Sequence, residues 1–230
     1  MGFYRGANIV TDGLVLALDA ANTKSYPGSG TTWSDLSGNG YNGTLTNGPT
    51  FNSANGGSVV FDGTNDFVTM GNILNVGSDP FSIEFYAKAT TTTTNYSKVV
   101  SKGYYLNSGW LCLFGKVPAG QYVSSMEFYV GATSYGISLI ATASLNTWYQ
   151  FSYVRDNSNE INGYVNGIFV NSINIGSISL TSPYDYIIGR SGAAVEYFKG
   201  DVALHRHYNR ALSAAEVEQN YNATKSRFNL

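Results

Sequence analysis

The stretch FKGDVALHRHYNRALSAAEVEQNYNATK, residues 198–225, decides the fold class, because it contains the one segment with a clear helix pattern. Ser213 is followed three residues later by Glu216, which is the pattern of a capping box at a helix N-terminus. Leu212 and Val217 stand at the positions of a hydrophobic staple around this box. The residues before this stretch have the pattern of strands and turns. The chain is therefore predicted to be all-β, with one short C-terminal helix.

Strand patterns precede the helix along most of the chain. Residues 81–87 and 148–154 alternate apolar and polar side chains, so each segment is predicted to bury one face and expose the other to water. The dipeptide Asn166-Gly167 separates two apolar segments and predicts a hairpin with a type I′ turn, because both residues tolerate positive φ. Short strands with regular turn signals are typical of a two-sheet β-sandwich.

The size and composition of the chain fit one domain. A single β-sandwich can span roughly 200 to 250 residues, so the 230 residues need no second domain. Residues 1–12 are predicted to be an N-terminal arm and residues 13–230 a single domain. Aromatic residues make up 14% of the chain, which is enough for a core between two sheets. No segment has the length of a membrane span or the apolar region of a signal peptide, so neither is expected.

Charge and cysteine content limit the partners and the covalent links expected for this chain. The net charge is -2 and no cluster of Lys or Arg is present, so nucleic acid is not expected as a partner. Cys112 is the only cysteine, which rules out an intrachain disulfide. It lies in the apolar segment 110–114, where a small buried hydrophobic side chain is its expected role.

Six segments occur in the order of a known family. They are WSDLSGNGYNGTL from Trp33, VVFDGTNDFVTM from Val59, FSIEFYAK from Phe81, NTWYQFSYVRD from Asn146, INGYVNGIFV from Ile161 and FKGDVALHRHYNRALSAAEV from Phe198. Together they resemble the laminin-G-like jelly-roll domains of the concanavalin A-like lectin/glucanase superfamily. The resemblance implies two packed antiparallel sheets of jelly-roll topology, with the terminal helix covering an edge or an end of the sandwich.

The resemblance also implies a class of function. Stand-alone domains of this family look like proteins encoded by tailed bacteriophages, where they serve as capsid decorations, fibres or adhesins. We therefore expect a non-enzymatic protein at the virion surface, with capsid or tail proteins and further copies of itself as partners. The alternative is a lectin that recognises a host or environmental polysaccharide. A fold does not dictate a function, so both remain open.

The N-terminal arm is the segment predicted to contact such a partner. Its apolar residues Phe3, Tyr4, Ile9 and Val10 precede the first predicted core strand. Apolar residues outside a core need cover, which a partner would supply. The alternative is a frayed terminus, the usual state of chain ends.

A sugar site requires an exposed aromatic ring beside amide or hydroxyl groups, because the C–H face of a pyranose packs on a ring while its hydroxyls need hydrogen-bond partners. Four residues of the loop KGYYLNSGW form the best such cluster: Tyr104, Tyr105, Asn107 and Trp110. Core packing is the competing role for Trp110.

Two segments are candidates for metal ions, although no cofactor is required. Asp62 and Asp66 offer hard oxygen ligands on the turn DGTND, so calcium is the candidate ion there. The alternative is an Asx turn without an ion. His205 and His207 would share one strand face and could hold Zn or Cu if further ligands were near. The resembled domains usually carry apolar residues at the matching positions, so the resemblance implies that the histidines face the sandwich interior or its rim. Their titration would then weaken the fold below about pH 6.

The carboxylates do not show a catalytic pattern. A retaining glycosidase needs two carboxyl groups about 5 to 5.5 Å apart across the glycosidic bond. Glu84 and Glu127 each stand alone among apolar neighbours and are interpreted as solvated or capping carboxylates. A glycoside hydrolase is therefore a remote alternative, and no catalytic residue is predicted.

Overall fold

A computed structural model describes residues 8–90, 96–116, 122–140 and 143–230. The strands in these ranges are β1 Leu14–Asp19, β2 Thr32–Trp33, β3 Gly43–Thr46, β4 Thr50–Asn52, β5 Ser58–Asp62, β6 Phe67–Thr69, β7 Phe81–Ala89, β8 Lys98–Tyr104, β9 Ser108–Lys116, β10 Tyr122–Val130, β11 Thr133–Ile140, β12 Tyr149–Arg155, β13 Glu160–Val165, β14 Ile168–Asn174, β15 Ile187–Ile188 and β16 Lys199–Tyr208. The helices are α1 Ala214–Thr224 and the 3-10 helices Ala54–Gly56 and Lys225–Phe228.

The strands form two antiparallel sheets that pack face to face. Sheet A has the order β14-β13-β12-β7-β16-β5-β4, and β1 also pairs with β16. Sheet B has the order β11-β10-β9-β8-β15-β6-β3-β2. This arrangement confirms the predicted two-sheet jelly-roll sandwich with one short C-terminal helix.

The helix begins and packs as its sequence predicts. The Ser213 hydroxyl accepts a hydrogen bond from the backbone N–H of Glu216, and the Glu216 carboxylate accepts one from the backbone N–H of Ser213. Leu212 and Val217 are both buried in one apolar cluster with Tyr208. The hairpin prediction is also confirmed, because β13 ends one residue before Asn166-Gly167 and both turn residues have positive φ, 52° and 76°.

Strand β7 differs from its prediction, because both of its faces are buried. Ile83 and Phe85 point into the core between the sheets, as the alternation requires. Ser82, Glu84 and Tyr86 point the other way and are buried as well. The cause is α1, which lies over this outer face of sheet A; Thr224 of the helix donates a hydrogen bond to the Tyr86 hydroxyl over 2.7 Å. The predicted water-exposed face of this strand is therefore wrong.

A buried polar network joins sheet A to the helix. The Arg206 guanidinium on β16 contacts Glu84 Oε1 on β7, and both side chains are almost completely shielded from water. The Asn220 side-chain amide on α1 donates to Glu84 Oε2 over 3.1 Å and to the Tyr208 hydroxyl over 3.0 Å. Buried charges are tolerated where they are paired, and here both oxygens of the Glu84 carboxylate have a donor.

The N-terminal arm is hydrogen-bonded to the same network. The backbone N–H of Val10 donates to Asn220 Oδ1 over 2.7 Å, and the Tyr208 hydroxyl donates to the Val10 carbonyl over 3.1 Å. The Val10 side chain is buried beside Leu212 and Val217. Val10 is therefore covered by its own domain, which corrects its prediction as a partner contact. Ile9 is half-buried, and Phe3 and Tyr4 lie outside the described residues.

Strand β14 ends sheet A with an apolar surface. Ile168, Phe169 and Val170 are consecutive and are exposed by 71%, 52% and 42%. Apolar residues at an unpaired sheet edge form a potential contact surface for another chain. In the described ranges, no helix combines the length and the apolar character needed to cross a membrane.

Candidate ligand-binding pocket

A pocket of about 480 Å³ lies on the face of sheet B that points away from the core. Five residues line it: Tyr96, Lys98, Tyr105, Glu127 and Glu196. The direction follows from strand alternation, because Met126 and Phe128 on either side of Glu127 are core residues. We call this the Glu127–Glu196 pocket. Its volume lies in the range of ordinary small-ligand sites.

Four separate segments bring the lining residues together. Glu127 belongs to β10, and Lys98 begins β8 directly after the turn that contains Tyr96. Tyr105 lies in the turn between β8 and β9. Glu196 lies in the loop between β15 and β16, and the backbone N–H of Lys98 donates to its carbonyl over 2.9 Å. This bond fixes the Glu196 loop to the first residue of β8.

An ion pair forms the floor of the pocket. Lys98 Nζ lies 2.7 Å from Glu127 Oε2, and the lysine side chain is only 2% exposed. The Tyr129 hydroxyl donates to the same oxygen over 3.1 Å. Burial raises the pKa of Tyr129, and the neighbouring Glu127 carboxylate raises it further, so the phenol keeps its proton and its donor role.

The second carboxylate is less well satisfied. Burial raises the pKa of Glu196; the Lys98 ammonium lowers it in part, and the Glu127 carboxylate raises it. Glu196 Oε2 is buried and has no hydrogen-bond partner within the described part of the chain. A buried oxygen without a donor favours a ligand that supplies one.

Two tyrosine rings form the walls. Tyr96 is 42% exposed and Tyr105 is 50% exposed, so both rings are accessible to a ligand. The Tyr105 ring makes an edge contact with Tyr129, with ring centroids 5.4 Å apart. Lys98 Nζ lies 5.8 Å from the centre of the Tyr96 ring, within the range of a cation–π contact. The pocket thus combines exposed rings with hydrogen-bond acceptors.

Only Tyr105 of the four predicted sugar-site residues lines this pocket. Trp110 is fully buried and stacks on Phe81, with ring centroids 6.1 Å apart, so it is a core residue and offers no ring to a ligand. Tyr104 packs on Tyr184, and the Asn107 amide donates to the Tyr184 hydroxyl over 3.2 Å. The structure therefore divides the predicted cluster into three separate environments.

Tyr96 and Glu196 were not among the predicted site residues, and Glu127 was predicted to stand alone. The exposed side of β10 is readable from its alternation, since Glu127 interrupts an apolar segment. The position of Glu196 has no comparable signal, because it depends on the path of an irregular loop between β15 and β16.

The turn at Asp62 and Asp66 has the hydrogen bonds of an Asx turn. Asp62 Oδ1 accepts from the backbone N–H groups of Thr64 and Asn65 over 2.7 and 3.2 Å. Asp66 Oδ2 accepts from the backbone N–H of Asp62 over 3.0 Å. These bonds explain the shape of the turn without an ion. Calcium binding stays a prediction.

The two histidines face the sandwich interior and contact one tyrosine. His205 Nδ1 lies 3.1 Å from the carbonyl oxygen of Glu84, which can only accept, so Nδ1 carries the proton. His205 Nε2 then accepts from the Tyr186 hydroxyl over 2.6 Å, and the Tyr186 oxygen accepts from His207 Nδ1 over 3.1 Å. The described residues contain no group of three or more His, Cys, Asp or Glu side chains placed to hold a metal ion.

Burial keeps both histidines neutral. It lowers the pKa of His205 to about 3, with the Arg206 charge lowering it further and the Glu84 carbonyl opposing the shift. It also lowers the pKa of His207 to about 3, and the neighbouring His205 adds to this effect. The pair is therefore a buried structural hydrogen-bond chain at neutral pH.

Comparison with known families identifies the class of protein. The Laminin_G_3 family model, described as the concanavalin A-like lectin/glucanases superfamily, matches residues 62–218. This match covers more than half of the chain, which therefore belongs to that family. No curated protein sequence gives a significant match to the chain.

Two solved structures that share this fold are binding domains. The binding domain of Paraclostridial Mosquitocidal Protein 1 has a TM-score of 0.73 at 18% identity, covering 93% of this chain and 52% of its own. The receptor binding domain of botulinum neurotoxin type G has a TM-score of 0.67 at 20% identity, covering 91% of this chain and 51% of its own. The chain thus spans about half the length of these toxin domains.

A third structure matches the chain over nearly its own full length. Domain 4 of AbnA, a GH43 extracellular arabinanase from Geobacillus stearothermophilus, was solved in complex with arabinotriose. Its TM-score is 0.67 at 16% identity, and the match covers 90% of this chain and 98% of that domain. At these identities the similarity establishes the fold alone.

Proposed function

We propose that this protein is a non-enzymatic carbohydrate-binding protein and that the Glu127–Glu196 pocket binds an oligosaccharide. The observation that carries the proposal is the pair of exposed rings, Tyr96 and Tyr105, beside two carboxylates in one pocket of about 480 Å³. Support also comes from the AbnA domain, which has the same fold and was solved with arabinotriose.

The chemistry of the pocket fits a sugar. The apolar C–H face of a sugar ring can pack on Tyr105, while its hydroxyls donate to the carboxylate oxygens of Glu127 and Glu196. Glu127 Oε2 already accepts from Lys98 and Tyr129, so the ion pair holds this carboxylate in a fixed position. A fixed acceptor beside an exposed ring is the arrangement that gives a sugar site its orientation.

Replacing Tyr105 by Ala is expected to weaken oligosaccharide binding at least tenfold, because it removes the most exposed ring of the pocket. A glycan array would identify the ligand, and calorimetry would then compare the dissociation constants. Leu106→Ala is the matched control, since Leu106 is exposed in the same turn but does not line the pocket.

Unchanged binding by Tyr105→Ala would contradict the assignment of this pocket. An array on which no glycan binds would contradict the carbohydrate-binding function. Incubation of the bound oligosaccharide with the protein is expected to leave it intact; release of shorter sugars would overturn the non-enzymatic part of the proposal.

A surface protein of a tailed-phage virion, such as a capsid decoration or a fibre or adhesin subunit, is the second candidate. It is supported by the exposed apolar edge at Ile168, Phe169 and Val170, because exposed apolar side chains favour a covering partner. Antibodies against the protein should label intact phage particles in electron micrographs. Label restricted to material outside the particles would contradict this role.

A further inference from the structure

The charges of the Glu127–Glu196 pocket do not cancel. Glu127 and Glu196 each contribute a carboxylate, and Lys98 supplies the one positive charge among the lining residues. Lys98 lies 2.7 Å from Glu127 Oε2 and forms its ion pair there. The Glu196 carboxylate therefore gives the described pocket an excess of negative charge.

The free hydrogen-bonding atoms are acceptors. Lys98 and Tyr129 both donate to Glu127 Oε2, which leaves Oε1 without a partner among the described residues. Glu196 Oε2 is buried and likewise lacks a donor in that part of the chain. Ionised carboxylates only accept hydrogen bonds, so a ligand in this pocket must donate them. An ammonium group supplies up to three donors together with the missing positive charge.

The rings favour the same group. Aromatic faces attract cations electrostatically, and Lys98 Nζ already lies 5.8 Å from the centre of the Tyr96 ring. The more exposed Tyr105 ring lines the same pocket and has no such partner among the cation–π contacts of the described residues. A second cation beside Glu196 would also offset the burial that raises the pKa of that carboxyl group.

Building on the proposed carbohydrate-binding function, we propose that this pocket selects glycans that carry a free amino group, such as oligomers of glucosamine. The sugar ring packs on Tyr105, and the ammonium group lies between the ring and the Glu196 carboxylate. N-acetylation removes the charge and adds bulk at the same nitrogen, so acetylated oligomers bind more weakly. Uronate oligomers bring a third carboxylate to the pocket and are repelled.

The test compares three tetramers of matched length by calorimetry at one ionic strength: the glucosamine tetramer with charged amines, its N-acetylated form and a galacturonate tetramer. The glucosamine tetramer is expected to bind at least tenfold more tightly than the acetylated one, and the galacturonate tetramer most weakly. Glu196→Gln should reduce the tenfold preference to near one, because it weakens binding of the glucosamine tetramer far more than binding of the acetylated one.

Glu218→Gln is the control, because Glu218 is an exposed carboxylate on α1 and does not line the pocket. This variant should keep the full preference; a loss as large as that of Glu196→Gln would assign the preference to net charge and overturn the proposal. Equal affinity of the wild-type protein for the amino and acetylated tetramers would overturn the selectivity while leaving the carbohydrate-binding function intact. Failure to bind any glycan would overturn both.

Discussion

Replacing Arg206 by Met is expected to lower the free energy of unfolding by about 3 to 5 kcal/mol, because it leaves the Glu84 carboxylate buried without its counter-charge. The side chains of Arg206 and Glu84 are only 6% and 1% exposed, so solvent cannot replace the lost partner. Denaturant unfolding of the two proteins, followed by fluorescence or circular dichroism, would measure the difference.

Two comparisons make this experiment specific. Arg210→Met removes two ion pairs, with Glu216 and with Asp12, whose side chains are all more than a quarter exposed, and it should cost about 1 kcal/mol or less. The double variant Glu84→Met with Arg206→Met removes both buried charges and should recover much of the stability lost in Arg206→Met. If Arg206→Met costs no more than Arg210→Met, the buried pair does not stabilise the sheet and helix as described.

Acidification from pH 7.5 to pH 5 is expected to lower the free energy of unfolding by about 4 kcal/mol through His205 and His207. Both histidines have a pKa near 3 in the folded protein, against an ordinary value of 6.5. At pH 5 the two histidines are therefore mostly protonated in the unfolded chain and mostly neutral in the folded protein. Their stabilising contribution is complete above about pH 6.5 and is lost as the pH falls from there toward 3.

Measuring the free energy of unfolding at several pH values would check this pH dependence. The variant His207→Phe would show how much of it comes from His207. The substituted side chain still places an aromatic ring against Phe81, whose ring centroid lies 5.7 Å from that of His207. The variant should have about half of the wild-type pH dependence, whatever its stability at pH 7.5. Identical slopes in the two proteins would show that other groups cause the acid sensitivity.

The architecture was predictable because its signals are local. The capping box at Ser213 and the Asn166-Gly167 turn depend on a few neighbouring residues, and both occur where the sequence places them. The burial of β7 was not predictable by the same reasoning. Its alternation correctly separates Phe85 from Glu84, but only the packing of α1 decides that the second face is covered as well.

The candidate site was predictable only in part, for the same physical reason. Tyr105 is exposed in a short turn between two strands, and its aromatic neighbours in the sequence indicated a ligand cluster. Trp110 is five residues away, but the alternation of β9 points it into the core. Glu196 reaches Glu127 through an irregular loop, and no local pattern reports the path of such a loop. Pairings of this kind depend on tertiary structure.

The place of β16 in sheet A has a consequence for synthesis. This strand pairs with β1, β5 and β7, yet it is made after all of them. As the ribosome extends the chain from its N-terminus, those three strands emerge without the neighbour that joins them, and their open edges can pair with other nascent chains. Completion of the sheet has to wait until β16 has been made. A premature stop before Lys199 therefore removes an interior strand of the sheet rather than its rim.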